Sequence, residues 1–263
     1  MLRRGVYHSR YLPVGYGSSN IKNIKNIFNK DSCYNNAIQN IITDTLNNPP
    51  TINSFVGGEK LVGNQIYKQI SPIDNNKYAC EYTEANETIL NKYLDEFKYY
   101  KQSLESLSDS DINTIFNKAG QLLRGKYREQ MLAYTIISQG KSAYEAELDA
   151  ICELGDFWKF NRDFKYEITN RSLLSPLGTI NDSYYNSLNG FVAAITPFNF
   201  TAIGGNLATA PVLFRNSVIW KPSNNAVLSN HLVYEILLEA GLPSEAIAFT
   251  PADPQLFTNT VVK

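Results

Sequence analysis

The sequence predicts an α/β fold: an incomplete, doubly wound parallel sheet preceded by a β meander and long helices. Three observations point there. Phe191–Ile195 and Ser217–Trp220 are short, continuously apolar runs, the pattern of strands buried on both faces of a parallel sheet. A small-residue helical stretch from about Thr201 to Phe214 joins them into a β-α-β unit. A third apolar run, Ile247–Thr250, follows another helical pattern.

Asn35–Leu46 reads as a short helix that stops at Asn47-Asn48-Pro49-Pro50. Ile52–Val56, the Gly57-Gly58 turn and Glu59–Val62 predict the start of a hairpin. Gln65–Ile70 has a strand pattern, broken by Ser71-Pro72 and Asp74-Asn75-Asn76 and resumed at Tyr78–Tyr82. Helices dominate next, beginning with Glu84–Glu105. Ser108–Arg124 opens on a serine cap with acidic residues in its first turn, which suits the helix dipole. Arg128–Ser138 ends at Gly140, and Ser142–Phe160 repeats apolar residues at helical spacing. Arg171–Asn189 is polar, with short β-prone pieces. After the β-α-β unit, the helix Ala226–Ala240 is closed by Gly241 and Pro243.

Composition narrows the function classes. With 263 residues, 43% of them hydrophobic, the chain can bury a substantial core. Basic and acidic residues number 24 and 25, so no basic face for nucleic acid follows. No run approaches the ~18 apolar residues that span a bilayer. Cys33, Cys80 and Cys152 form no CxxC pair, which argues against a disulfide framework. Cys152 falls inside a predicted helix, where a cysteine usually serves as a small hydrophobe. The only histidines are His8 and His231, so a Ser-His-Asp hydrolase or a multi-histidine metal site has almost no material. Neither G-x-G-x-x-G nor a P-loop is present.

The first 30 residues carry six basic residues and no acidic one. A basic, acid-free start of this kind predicts a mitochondrial presequence over residues 1–30; a basic terminus without an address is the alternative.

Ligands of parallel sheets bind beyond the carboxyl ends of the strands. Asn199 and Lys221 each follow a predicted strand, so the pair is a candidate site. Each also has a plainer explanation. An asparagine before a helix can cap it, and most lysines are simply exposed.

PFNF (197–200) and WKPS (220–223), at this separation, resemble the aldehyde dehydrogenase superfamily. The longer wording, GFVAAITPFNFTAIGGNLATAP, NSVIWKPSNNAVLSNHLVYEILLEAGLP and FTPADPQLF, is similar to its glutamate-semialdehyde (pyrroline-5-carboxylate) dehydrogenases. VGGEKLVGNQIYKQISP and ISQGKSAYEAELDAICELGDFWKFN extend the likeness, which runs from about Thr51 to the last residue.

The resemblance implies an NAD-dependent oxidation of L-glutamate γ-semialdehyde to glutamate in the mitochondrial matrix, by a homo-oligomer. In such enzymes a cysteine thiolate attacks the aldehyde and the carbonyl oxygen becomes an oxyanion. Asn199 matches the asparagine whose amide stabilises that charge. Lys221 matches the lysine that grips the adenosine ribose of NAD, with Ser223 and Asn224 beside it. The family has an acidic residue where Asn224 stands, and that carboxylate disfavours a 2′-phosphate. Ile195, Thr196, Pro197 and Phe198 match a cofactor groove; ordinary core packing is their alternative. Phe200 matches a wall of the aldehyde tunnel and Glu153 a glutamate at its mouth, against a solvated face as the alternative for Glu153. Gly204-Gly205 are expected to let the helix pack closely on the sheet. Residues 169–189 match strands that reach away from the main domain toward other subunits.

Residues 31–263 are thus expected to form the first part of an aldehyde dehydrogenase cofactor domain. The family's FTGS-type turn, general-base glutamate and G-Q-x-C nucleophile are not in this sequence, so this chain by itself is expected to be inactive. A fragment of a longer enzyme is the first reading. A truncated paralogue that binds full-length subunits is the second.

Overall fold

The computed structural model describes residues 33–171 and 173–262. The presequence expected over residues 1–30, and His8 with it, lie outside the described residues. The elements are α1 (Cys33–Asn47), β1 (Thr51–Ile52), β2 (Ser54–Val56), β3 (Glu59–Leu61), β4 (Ile66–Ser71) and β5 (Asp74–Thr83). Then come α2 (Glu87–Glu105), α3 (Asp109–Arg124), α4 (Arg128–Gln139) and α5 (Ala143–Ala146). A π-helical segment, Glu147–Glu153, carries α5 directly into α6 (Leu154–Thr169). The last part holds β6 (Val192–Ile195), α7 (Thr201–Leu213), β7 (Val218–Lys221), α8 (Val227–Ala240), β8 (Ile247–Phe249), α9 (Pro254–Phe257) and a π-helical turn, Thr258–Val262.

The expected α/β class holds. The main sheet has the order β3-β2-β8-β7-β6. Its β6, β7 and β8 are parallel, while β2 runs antiparallel to β8 and β3 to β2. The sheet is therefore mixed, with its parallel half where the β-α-β pattern predicts it.

The expected meander is divided between two sheets. Ile52 belongs to β1, which pairs with β5 in a separate three-stranded sheet of order β1-β5-β4. Ser54 onward joins the main sheet instead. The predicted break at Asp74-Asn75-Asn76 is also displaced. Only Pro72 and Ile73 separate β4 from β5, and Asp74 already pairs with Ser71. Those three polar residues are tolerated in a strand because that end of the hairpin faces solvent.

Side chains alternate across the main sheet. Val218, Trp220, Ala194 and Phe249 enter one apolar cluster with α3, α6, α7 and α8. Ile219, Ala248, Ala193 and Phe191 enter the other, covered by α2 and α9. Helix α7 is apolar all round because α6, α8 and the sheet enclose it. Its glycines pack on helices rather than on the sheet, contrary to expectation. A methyl group on Gly204 would meet Asn230 Oδ1 of α8 at 2.5 Å, and one on Gly205 would meet Leu154 Cδ1 at 2.8 Å.

The capping signals act as read. Ser108 forms a reciprocal capping box, and Gly140 and Gly241 take left-handed conformations at helix ends; Ser142, not read as a cap, forms a second capping box. Residues 171–189, where outreaching strands are expected, carry no strand among the described residues.

Candidate functional site

Parallel pairing sets the frame. Ile195 lies opposite Lys221 in the β6–β7 ladder, so both strands end at the same level. Thr196 N–H donates to the Lys221 carbonyl at 3.1 Å and Trp220 Nε1–H to Thr196 Oγ1 at 3.0 Å. These bonds lock the turn after β6 onto the end of β7. Thr196 is consequently buried, with its hydroxyl turned inward. Ile195 and Phe198 are exposed, Pro197 is half-buried, and Asn199 is exposed.

Asn199 does not cap α7. The N-cap position is Phe200, whose side chain cannot accept a hydrogen bond. The cap comes instead from Asp149 in the π-helical segment. Its Oδ2 accepts the Thr201 N–H at 3.0 Å and its Oδ1 the Ala202 N–H at 2.9 Å. A carboxylate suits the positive end of a helix dipole, and here it is almost fully buried. Lys141 Nζ donates to Asp149 Oδ2 at 2.5 Å and lies 4.0 Å above the Phe200 ring. Lys141 and Asp149 thus clamp the end of the 197–200 turn from outside the β-α-β unit. The Asn199 amide is left uncommitted at the strand end.

Glu153 follows Asp149 by one helical turn and is half-buried. Burial pushes its carboxyl above the usual carboxylate range, and the Asp149 charge adds to this. Its charged neighbours are Asp149 and Lys141, the pair that holds the start of α7.

Lys221 is buried, not exposed. Burial lowers its pKa, against the opposing pull of Glu84 and Asp253. Its Nζ–H reaches the Pro222 carbonyl at 3.3 Å, a weak bond for an ammonium with three donors. Ser223 Oγ accepts the Asn225 N–H at 3.4 Å, and the Ser223 carbonyl accepts the Ala226 N–H at 2.9 Å; both shape the turn into α8. Asn224 Nδ2–H donates to Glu84 Oε1 at 2.9 Å, and its Oδ1 is buried with no partner. Glu84 thus bonds Asn224 and acts by its charge on Lys221; an underused ammonium and an orphaned amide oxygen sharing one carboxylate fit a vicinal diol, which offers both acceptors and donors.

The sequence-predicted residues therefore assemble into two adjoining groups beyond β6 and β7. Asn199 and Phe200 form one; Lys221, Ser223 and Asn224 form the other, and Ile195 stands in register with Lys221, while Glu153 lies in the π-helical segment whose Asp149 caps α7. Three contributing residues gave no local signal. Asp149, Lys141 and Glu84 are ordinary charged residues in sequence, and only their burial against distant elements marks them.

Other groups stay out of this arrangement. Cys152 is buried, with its Sγ 3.9 Å from Glu147 Oε1. His231 packs among Phe55, Tyr234 and Phe249. Among the described residues no cluster of three or more His, Cys, Asp or Glu could hold a metal, and no helix is long and apolar enough to cross a membrane.

Comparison with known proteins agrees with this geometry. The human mitochondrial delta-1-pyrroline-5-carboxylate dehydrogenase is 39% identical over 234 residues, which is 89% of this chain and 42% of that protein. The Dictyostelium discoideum enzyme of the same name is 42% identical over 202 residues, 76% of this chain and 36% of that protein. The chain thus spans less than half the length of these relatives. The Mycobacterium tuberculosis delta-pyrroline-5-carboxylate dehydrogenase, solved bound with NAD, superposes with a TM-score of 0.84 at 33% identity. That match covers 88% of this chain and 44% of the solved one. Since the model of the aldehyde dehydrogenase family also matches residues 59–263, this chain belongs to that family.

Proposed function

We propose that this chain forms the cofactor-side part of an NAD-dependent dehydrogenase that oxidises L-glutamate γ-semialdehyde, the open form of pyrroline-5-carboxylate, to L-glutamate. The observation that carries the reading is the pair of strand ends. Asn199 is left uncommitted by the Asp149 cap, and Lys221 is buried at the end of β7, three residues before an asparagine whose amide oxygen is orphaned.

In this reading the Asn199 amide donates to the aldehyde oxygen as negative charge develops on it. A fixed donor needs no reorganisation during the reaction, and removing one costs about 10²–10³ in rate. Lys221 and Asn224 bind the adenosine ribose, with Ser223 holding their turn. Ile195, Pro197 and Phe198 would border the cofactor between the two groups, with the buried Thr196 holding their turn to β7. Phe200 and Glu153 border the aldehyde. NAD, when bound, supplies the hydride acceptor. The nucleophile and general base are expected outside these 263 residues, so the chain alone should not turn over.

The relatives' names support a mitochondrial address. Leu174, Leu177, Ile180 and Tyr184 in the 171–189 segment expose nearly their whole side chains, which supports its role as an arm covered by other subunits.

The test is NADH formation from L-glutamate γ-semialdehyde by the protein at its native length, with and without Asn199→Ala. A drop in kcat of about a hundredfold or more supports the assignment. An unchanged kcat would remove Asn199 from the chemistry, and no activity toward this aldehyde would remove the substrate.

A further inference from the structure

Glu84 follows β5 in the small sheet, yet its carboxylate reaches the end of β7 in the large one. It is held there firmly. Ala85 N–H donates to the Pro251 carbonyl at 2.6 Å, tying the segment to the turn after β8. Gly63 packs so close that a methyl group there would lie 2.0 Å from the Glu84 carbonyl oxygen. Gly63 N–H also donates to Thr83 Oγ1 at 3.1 Å, and Thr83 Oγ1–H to Asn53 Oδ1 at 3.0 Å.

The Glu84–Asn224 bond decides which way the Asn224 amide faces. Its NH2 must point at the carboxylate, so its oxygen is the atom presented on the other side. That oxygen is buried without a partner, and the same Glu84 charge acts on the Lys221 ammonium. A ribose hydroxyl has a proton to donate to it. A phosphate dianion has only acceptors, so oxygen would meet oxygen. Without Glu84 the outcome would reverse. Asn224 could turn its NH2 outward, and with the Lys221 ammonium it would make a serviceable phosphate site.

We propose that Glu84 sets the dinucleotide preference of this site: it orients the Asn224 oxygen toward a ribose 2′-hydroxyl and supplies, from another sheet, the negative charge that rejects a 2′-phosphate. Position 224 itself carries no charge; Glu84 brings a carboxylate into contact with it, and the Asp253 charge acts on both Glu84 and Lys221. This role rests on the NAD reading above.

The experiment is titration calorimetry of NAD and NADP, each alone, with the protein at its native length. The wild type should bind NAD more tightly. Glu84→Gln keeps the shape and an acceptor but removes the charge, and should shrink the NADP-to-NAD ratio of Kd values about tenfold. That is the repulsion of one charge on a dianion ~6 Å away at a water-like dielectric. The double variant Glu84→Gln/Asn224→Asp returns a carboxylate to the turn and should restore the ratio. Glu84→Gln that binds NAD with an unchanged ratio overturns the proposal. If that variant does not fold, the wild type still decides. Its ratio should fall as salt screens the repulsion, and a ratio indifferent to salt overturns the role. A wild type that binds neither dinucleotide overturns the cofactor reading itself, a result distinguishable from both.

Discussion

Asp149 Oδ1 accepts the backbone N–H of Ala202 at 2.9 Å, so the helix that follows Asn199 is capped from a different helix. The relationship has two consequences. It anchors α7 to the π-helical segment, and it frees the asparagine that would otherwise be the natural cap. Asp149 also pairs with Lys141, and both are well buried.

Asp149→Ala should therefore be costly. It removes the α7 cap and leaves the Lys141 ammonium without its carboxylate. A cap contributes about 1 kcal/mol, and breaking a buried pair costs about 3–5 kcal/mol. Urea unfolding should show a loss of about 3 kcal/mol or more, with Asp149→Asn in between. A loss under about 1 kcal/mol would mean that another group caps α7.

Asn199→Ala should behave in the opposite way. The side chain is exposed and holds no helix end, so stability should change by less than about 0.5 kcal/mol. The expected loss is in kcat of the native-length protein. Denaturation midpoints measured beside turnover separate the two effects.

Gly63→Ala should disturb the Lys221 end of the site from a distance. The new methyl would press on the backbone oxygen of Glu84, which no rotamer change can relieve. A stability loss of about 2 kcal/mol is expected, within the usual range for overpacking. NAD affinity, read by calorimetry, should fall with it as Glu84 shifts. Full affinity in a destabilised variant would show that Glu84 tolerates the displacement.

His231 gives the stability a pH dependence. Burial lowers its pKa to about 4, and nearby Lys60 pushes the same way. Glu235 lies 3.8 Å away, but the ring is neutral at pH 7, so the contact is not an ion pair. The folded pKa lies below the unfolded value of about 6.5. The unfolded chain then binds a proton that the folded chain refuses. This stabilisation is complete above pH ~6.5 and is lost progressively toward pH ~4, to a total of roughly 3 kcal/mol. Unfolding free energies across that window should show the slope in the wild type and a flatter one in His231→Phe. Equal slopes would place the titration elsewhere.

Helix ends and strand runs were legible because their determinants are local. Ser108, Gly140 and Gly241 each act on neighbouring backbone; Ser108 opens its helix and the two glycines close theirs, as read. The apolar runs Phe191–Ile195 and Ser217–Trp220 pair in parallel as read; β7 is buried throughout, while β6, at the edge of the sheet, leaves Ile195 exposed. The same local information misassigned Ile52. A two-residue strand carries no pattern that says which of two sheets will receive it.

Asn199 and Lys221 were visible in the linear chain because strand ends are where parallel sheets bind ligands. Their working surroundings were not. The burial of Lys221, the release of Asn199 by Asp149, and the Glu84 carboxylate behind Asn224 all join residues far apart in the chain. A charged side chain reads as solvent-exposed until folding removes the water around it. Only tertiary packing then selects its partner, because a buried charge must be matched wherever the fold happens to place it.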